Sequence, residues 1–416
     1  MQVSITEAEV FGQAVDQAGF LWCQRASAVR DPRYTLKDLA ELDARLAAQM
    51  ALLRRGGKTG FALAVDAAGE GGAGEVFAAL VLALARHDRE GMAPLLAQGM
   101  EAPEVARGVV SALGWASAEE VREVLPGLLA AEALPALQAM GIAACAVRRR
   151  DPGAGLGQAM RAEEPRLRAR ALRAVGELGY EERLAEVRPA LGAEDAGVRL
   201  WGAWSAALLG DRGGVDALLE IAAAGGAAGE RAVTVAMPRL GALAGVRWVR
   251  RLPEAGPAAR VAVVAAGALG DPALVPWLLE RLRAPKLARC AGAALTLITG
   301  VDLVKEKLEG AALEETGPSD APEDEDVSVD GDEGWPWPDA AAVERWWARR
   351  RSDFAAGRRH VLGKPVELAW VQEVLRVGTQ PARQAAAVER CIARPRQGLF
   401  EVRARGDRQR AELGEK

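Results

Sequence analysis

Five stretches decide the fold: RARALRAVGELG (168–179), VRLWGAWSAALLG (198–210), RAVTVAMPRLG (231–241), ARVAVVAAGALG (259–270) and LARCAGAALTLITG (287–300). Each has an arginine at or near its start, runs through an Ala-rich apolar stretch and stops at glycine. The stops, Gly179, Gly210, Gly241, Gly270 and Gly300, recur at intervals of 29–31 residues. Glycine suits the position after a helix because it enters the left-handed region without a Cβ clash. Asp211, Asp271 and Asp302 follow three of the stops, where a carboxylate can cap what comes next. Within the first stretch Leu167, Ala171, Ala174, Val175 and Leu178 share one helical face.

A shorter apolar stretch follows each stop, as in ERLAEVRPALG (182–192), GVDALLEIAAA (214–224), GVRWVRRL (245–252) and PALVPWLLERLR (272–283). In the last, Leu274, Leu278 and Leu282 form a stripe. The unit is helix, tight turn, helix, loop. A single pair cannot bury its apolar stripe, whereas a stack of pairs buries all of them. Fainter copies upstream, VFAALVLALARHDRE (76–90), EVARGVVSALGWA (104–116) and ALPALQAMGIAACAVRRRDP (133–152), extend the array to about eight pairs over residues 71–310. The expected fold is all-α, a solenoid built as a right-handed superhelix of antiparallel helix pairs.

The ends depart from this period. Residues 1–70 read as an N-terminal helical cap, with one helix over Glu7–Arg25 and another from Thr35 to Arg54, opened by the capping-box-like TLKD and stopped by Gly56–Gly57. Residues 311–338 form an acidic, Pro/Gly-rich segment. Ten acidic and no basic residues lie between Glu314 and Glu333, a composition that cannot offset its ordering entropy by burying apolar surface, so the segment is expected to be disordered. Asp326, Ser328, Asp330 and Gly331 match the early positions of a calcium loop, but Trp337 stands where a bidentate Glu is required. Residues 339–395 read as a C-terminal helical cap with a further repeat-like pair, VELAWVQEVLRVG (366–378) and PARQAAAVERCIARP (381–395). Residues 396–416 read as a basic tail, anchored by Leu399 and Phe400 and otherwise solvated.

Ala, Leu, Arg and Glu dominate the 416 residues, and these are strong helix formers. The net charge of −4 conceals an asymmetry, because everything outside the acidic segment sums to +6. Cys23, Cys145, Cys290 and Cys391 show no metal-ligand spacing and are expected to be reduced and buried. The N-terminus carries acidic and polar residues where a signal peptide would be apolar. No apolar run is long enough to span a bilayer. The expected location is cytoplasmic.

The Arg-led helix, Gly-Asp turn and Val/Leu-rich second helix resemble HEAT repeats over residues 73–310 and again over 366–395. A second resemblance rests on FLWCQRASAVRDPRYTLKDLAELDARLAAQMALLRRGG near the start, LITGVDL after the array and GRRHVLGKPVELAWVQEVLRVGTQPARQAAAVE near the end. These blocks look like an uncharacterised proteobacterial family in which they flank a variable repeat region. Its genes often sit near type VI secretion components. The resemblance implies an adaptor, accessory or immunity role and no assigned reaction.

No catalytic spacing stands out. His87 and His360, each read as a turn residue, are the only histidines, too few for the paired His-Glu iron sites of deoxyhypusine hydroxylase HEAT enzymes. HExxH, GxSxG and GxxxxGK[ST] are absent. No catalytic residue, cofactor or metal is expected. Binding candidates are Arg247, Arg250 and Arg251 on one face of a short helix, the basic turn Arg148–Arg150, and Trp277, which lies off the Leu274/Leu278/Leu282 stripe and could be an exposed anchor. Trp201 and Trp204 share a stripe with Leu200 and Leu208 and read as core. The reading is a non-catalytic protein-binding scaffold of unknown partner. Its alternatives are a nucleic-acid binder resembling HEAT DNA glycosylases, and a toxin-immunity protein that uses the acidic segment as a plug.

Overall fold

The computed structural model describes residues 6–69, 72–313 and 331–415. Asp326, Ser328 and Asp330 of the calcium-loop pattern and most of the acidic segment lie outside them. The fold is an all-α solenoid. Its first helices are α1 (Glu7–Ala28), α2 (Leu36–Arg55) and α3 (Gly57–Ala68). The repeat helices follow as α4 (Ala73–Ala85), α5 (Arg89–Glu101), α6 (Pro103–Trp115), α7 (Val124–Leu128), α8 (Pro135–Val147), α9 (Gly155–Ala159), α10 (Pro165–Leu178), α11 (Leu184–Val187) and α12 (Ala196–Leu208). They continue as α13 (Arg212–Ala223), α14 (Gly226–Leu240), α15 (Ala242–Val249), α16 (Pro257–Leu269), α17 (Val275–Arg281) and α18 (Pro285–Thr299). After the acidic segment come α19 (Ala340–Arg350), a hairpin of β1 (His360–Val361) and β2 (Lys364–Pro365), α20 (Leu368–Val377), α21 (Gln380–Ala393) and α22 (Gly406–Glu412). The chain divides into two compact units: residues 1–30, 34–178 and 401–416 in the first, 31–33 and 179–400 in the second.

The first unit is built around α4. Every residue from Val76 to Leu84 is buried, because α1, α3, α5 and α6 cover it on all sides. Phe77 stacks on Trp22 (centroids 6.1 Å apart) and meets the edge of Trp115 at 5.7 Å, the offset and edge-on arrangements that aromatic quadrupoles favour. The TLKD start behaves as expected: the Thr35 hydroxyl accepts from the Asp38 amide, and the Asp38 carboxylate accepts from the Thr35 amide at 2.8 Å. Gly56–Gly57 ends α2 but not the helical run, because Gly57 turns the chain at φ +54° directly into α3, a helix the sequence reading missed.

Residues 401–415 are not a solvated tail. Phe400 aside, Val402 and Leu413 are buried, and Gln409 donates to the carbonyls of Val402 and Ala404. The Gly406 amide donates to Asp43 Oδ2 at 2.7 Å, and Asp43 is also bound by Arg25, which reaches the Ala404 carbonyl at 2.9 Å. Arg408 donates to the carbonyls of Gly114, Trp115 and Ala116 at the end of α6. Arg148 reaches the same helix end, 2.9 Å from the Leu113 carbonyl and 2.7 Å from that of Ala116. Guanidinium groups suit this place, where unpaired carbonyls and the negative end of the helix dipole coincide. Two buried carboxylates hold the tail's first turn. Glu401 pairs with Arg403 at 2.7 Å and lies 3.7 Å from Arg149; Glu177 on α10 pairs with Arg170, with Arg173 at 2.8 Å and with Arg403 at 3.8 Å. Burial alone would raise both carboxyl pKa values, but the arginines overcome it and hold Glu401 down at about 2 and Glu177 well below the usual carboxylate range.

In the second unit α12, α14, α16 and α18 lie side by side in sequence order, with α13, α15 and α17 packed on the helices that flank each turn. One apolar core runs from Leu200 to Leu308 and takes in Val343 and Trp346 of α19. Trp204 is buried in it as expected, while Trp201, edge-on to it at 5.5 Å, is half-buried against the core and lies under Arg231. The α20–α21 pair does not prolong the array beyond α18. Helix α21 packs on α14 and α12 and sends Val388 and Cys391 into the same core.

The hairpin between α19 and α20 explains two of the stop glycines. The His360 amide donates to the Gly270 carbonyl at 2.8 Å, and the amides of Leu362 and Gly363 donate to Leu297 and Ile298 at 2.7 and 3.0 Å. Gly270 has φ +76°, and a Cβ there would lie 2.2 Å from the His360 carbonyl oxygen; at Gly300, φ +72°, it would lie 2.8 Å from the Leu362 backbone. Leu362 and Gly363 both take positive φ, +44° and +82°, which the two-residue turn of a tight hairpin requires. His360 is therefore buried, not a loop side chain. None of the four cysteines is in a disulfide; Cys145, Cys290 and Cys391 are buried as expected, while Cys23 is exposed.

Two expected outcomes follow from these contacts. Gly270→Ala should cost about 3 kcal/mol or more in urea unfolding, because backbone strain adds to a collision with the hairpin backbone. Gly210→Ala should cost only about 1–2 kcal/mol, since a Cβ on Gly210, φ +96°, would have its nearest non-local neighbour at 3.9 Å. Equal costs would mean that the hairpin does not seat on Gly270. The carboxylate pair sets an acid dependence. Their folded pKa values lie below the unfolded value of ~4.3, so their contribution is complete above that pH and is lost as pH falls through it toward about 2. The protection factors of the amides over residues 401–413, taken relative to the intrinsic exchange rate at each pH, should stay high down to about pH 4.5 and fall below it, and Glu401→Gln should flatten that acid arm.

Candidate functional site

The short helix α15 presents the most exposed cationic face among the repeat helices' candidates. Gly245 and Val249 are buried, and a Cβ on Gly245 would collide with Leu269 of α16, so that side of α15 sits directly on the neighbouring helix. Val246, Trp248 and Leu252 pack against the core edge. Helical spacing then leaves Leu243, Arg247, Arg250 and Arg251 outward. All three arginines are exposed, and Leu243 is 69% exposed. Among the described residues none of the three forms an ion pair; Arg250 only approaches the Ala273 carbonyl, 3.5 Å away. The result is an apolar residue set in a ridge of three uncompensated positive charges.

Trp277 lies off the leucine stripe of α17, as the spacing predicts, but its ring is not bare. It packs half-buried against the core, and the Arg281 guanidinium covers its face at 4.1 Å from the centroid. Arg281 is fixed in turn by Glu254 at 2.6 Å, Glu280 at 2.5 Å and the Trp277 carbonyl at 3.2 Å. The Arg250–Ala273 contact ties the end of α15 to the turn before α17, and the Arg281–Glu254 contact ties the last residue of α17 to the loop after α15, so the four candidate residues belong to one surface of the second unit. The basic turn 148–150 does not form a comparable patch. Arg148 is spent on the α6 carbonyls and Arg149 lies beside Glu401, which leaves Arg150 exposed.

The C-terminal end of the acidic segment is placed against α16 and α18. Asp332 receives both Nη groups of Arg260 at 2.7 Å, and Arg260 also binds Glu230 at 3.0 Å. Arg289 donates to the Asp332 carbonyl at 3.3 Å and lies over the Trp337 ring at 4.6 Å. Gly310 donates to the Trp337 carbonyl and Asp339 to that of Leu308, each at 2.8 Å. Residues 331–338 are thus a latch held by ionic, cation–π and backbone contacts, where the composition predicts disorder. The sequence signal was present in GWPWP, where the prolines stiffen the chain between two indoles. Its seat, Arg260, was hidden within a repeat helix.

Residues 153–237, from α9 to the middle of α14, match the family model of HEAT repeats. No curated protein and no solved structure matches the chain. Among the described residues no helix is long and apolar enough to cross a membrane.

Removing the carboxylate of the latch should release it. Asp332→Ala is expected to cost about 1.5–3 kcal/mol locally, read as an exchange rate at the Gly310 and Asp339 amides raised at least about tenfold. Unchanged rates would show that the Trp337 contact alone holds the segment.

Proposed function

We propose that the chain is a non-catalytic protein-binding scaffold and that the α15 ridge is its contact for an acidic protein surface. The observation that carries this reading is the ridge itself: Leu243 beside Arg247, Arg250 and Arg251, all exposed, with none of the three arginines in an ion pair among the described residues. An apolar side chain set among solvated positive charges gains most from a partner that brings both carboxylates and an apolar contact. HEAT repeats commonly serve as interaction scaffolds, and the match over residues 153–237 supports that general role. The Trp277–Arg281 pair supplies a rigid aromatic flank at the end of the ridge. The resemblance of the terminal blocks to a family encoded near type VI secretion components supports a partner from that set. The inward use of Arg148 and Arg149 weakens the nucleic-acid alternative, which needs a continuous cationic track.

The test is recovery of a stoichiometric protein from native cells on the tagged full-length chain. The triple variant R247E/R250E/R251E should lose that protein at least about tenfold while its melting curve is unchanged. Recovery undiminished by the triple reversal, or recovery of nucleic acid in place of protein with the same loss, would overturn the proposal.

A further inference from the structure

Residues 331–338 sit on α16 and α18 as a ligand sits on a receptor, through polar groups and not through the core. Asp332 is buried and takes both Nη groups of Arg260 at 2.7 Å, while the two indoles, Trp335 and Trp337, stay half-buried. Neither ring belongs to the apolar core that runs through this unit. Trp337 is held instead by the Arg289 guanidinium, 4.6 Å from its centroid. Trp335 overhangs a half-open cavity of about 190 Å³, floored by Val264 and Gly267 of α16 and Ala293 and Leu297 of α18. A strap that serves only to stabilise a fold gains most by burying its rings, and this one leaves both at the surface.

The seat does not depend on the latch. Arg260 is bound by Glu230 of α14 at 3.0 Å as well as by Asp332, so the guanidinium keeps its place when Asp332 leaves. Helices α16 and α18 pack directly on each other. Helix α19, which follows the latch, has its own anchorage in the core through Val343 and Trp346. Lifting residues 331–337 therefore breaks the contacts of Asp332 and Trp337 and leaves the helices beneath intact. A buried ion pair adds little to stability compared with apolar packing, whereas its bidentate geometry is highly selective for what it binds.

The present occupant shows which chemistry the seat selects. A planar guanidinium that engages both oxygens of one carboxylate selects Asp or Glu. A second guanidinium laid over an indole selects an aromatic ring. The carboxylate of Asp332 and the ring of Trp337 lie five positions apart. Pro336 and Pro338 flank Trp337 and fix the backbone there, so little entropy is lost on docking. We infer that the α16/α18 surface is a binding site for an acidic–aromatic peptide segment of a partner protein, and that residues 331–338 are its intramolecular stand-in, displaced when the partner docks. The space under Trp335 is room that the stand-in leaves open to an apolar side chain of the partner. None of these contacts involves α15, so the inference does not rest on the ridge.

Fluorescence anisotropy of the full chain with a labelled peptide of residues 331–338, Gly-Asp-Glu-Gly-Trp-Pro-Trp-Pro, tests this. A tethered segment competes at an effective concentration of about 1 mM, so a latch closed about nine-tenths of the time requires a free-peptide Kd of about 0.1 mM or tighter. The variant D332A/W337A frees the seat and should bind the peptide at least about tenfold more tightly than the unaltered chain does. Asp332→Ala alone should shift the affinity the same way, and helical circular dichroism should be the same in all three. Adding R260A/R289A to the freed chain should abolish binding. A peptide with Asn and Gln in place of its Asp and Glu should bind at least about tenfold more weakly. No saturation by about 1 mM, equal affinity of the freed and unaltered chains, binding that survives R260A/R289A, or equal binding of an oligothymidylate in place of the peptide would overturn the inference.

Discussion

The structure depends on how the first helix of each repeat ends. A helix that stops at a left-handed residue exposes its last carbonyls at one edge of the stack, and those acceptors must be satisfied. In the second unit the hairpin and Arg359 do this: Arg359 donates to Leu269 at 2.8 Å and Pro238 at 3.1 Å, and the backbone of residues 360–363 bonds to the ends of α16 and α18. Arg239 does the same for α12. In the first unit α6 ends at Ala116 without a left-handed residue, and there Arg148 and Arg408 bond the last carbonyls. The stretch from residue 357 onward is thus not an appendage after the repeats but the element that completes their helix ends.

This arrangement also decides which charges are left for function. Arginine is abundant, yet many guanidinium groups serve carbonyls or buried carboxylates, as at Arg25, Arg148, Arg260, Arg359 and Arg403. Each sits where its charge is balanced by an acid or by a helix terminus. Arg247, Arg250 and Arg251 differ because α15 is short and its inner side is occupied by Gly245 and Val249 pressed on α16. Their exposure is a consequence of packing, and their lack of ion-pair partners is what makes the ridge a place for recognition.

Much of this was legible in the sequence. The glycine stops gave the period, TLKD gave a helix start, and the leucine stripes gave the buried faces, because all three are local signals read over one or two turns. The return of residues 357–413 along the helix ends was not legible. It depends on contacts between residues far apart in sequence, such as His360 with Gly270 and Gly406 with Asp43, and no local pattern encodes them. For the same reason His360 looked like a loop residue and the tail looked solvated. The repeat signal in 366–395 was real, but periodicity says that a helix pair forms and not where it packs. Among the candidate site residues, the arginines of α15 were placed correctly by helical spacing, whereas the cover over Trp277 came from Arg281, whose own fixing by Glu254 and Glu280 spacing alone does not reveal.

The central claim is that the C-terminal stretch is bonded to the ends of the repeat helices. Native-state amide hydrogen exchange of the full chain measures it directly at His360, Leu362, Gly363 and Gly406. The account predicts protection of these four amides in the same range as the interiors of α16 and α18, since each donates to a fixed acceptor in a packed setting. Exchange at the rate of an open loop at these positions, with the repeat helices still protected, would contradict it.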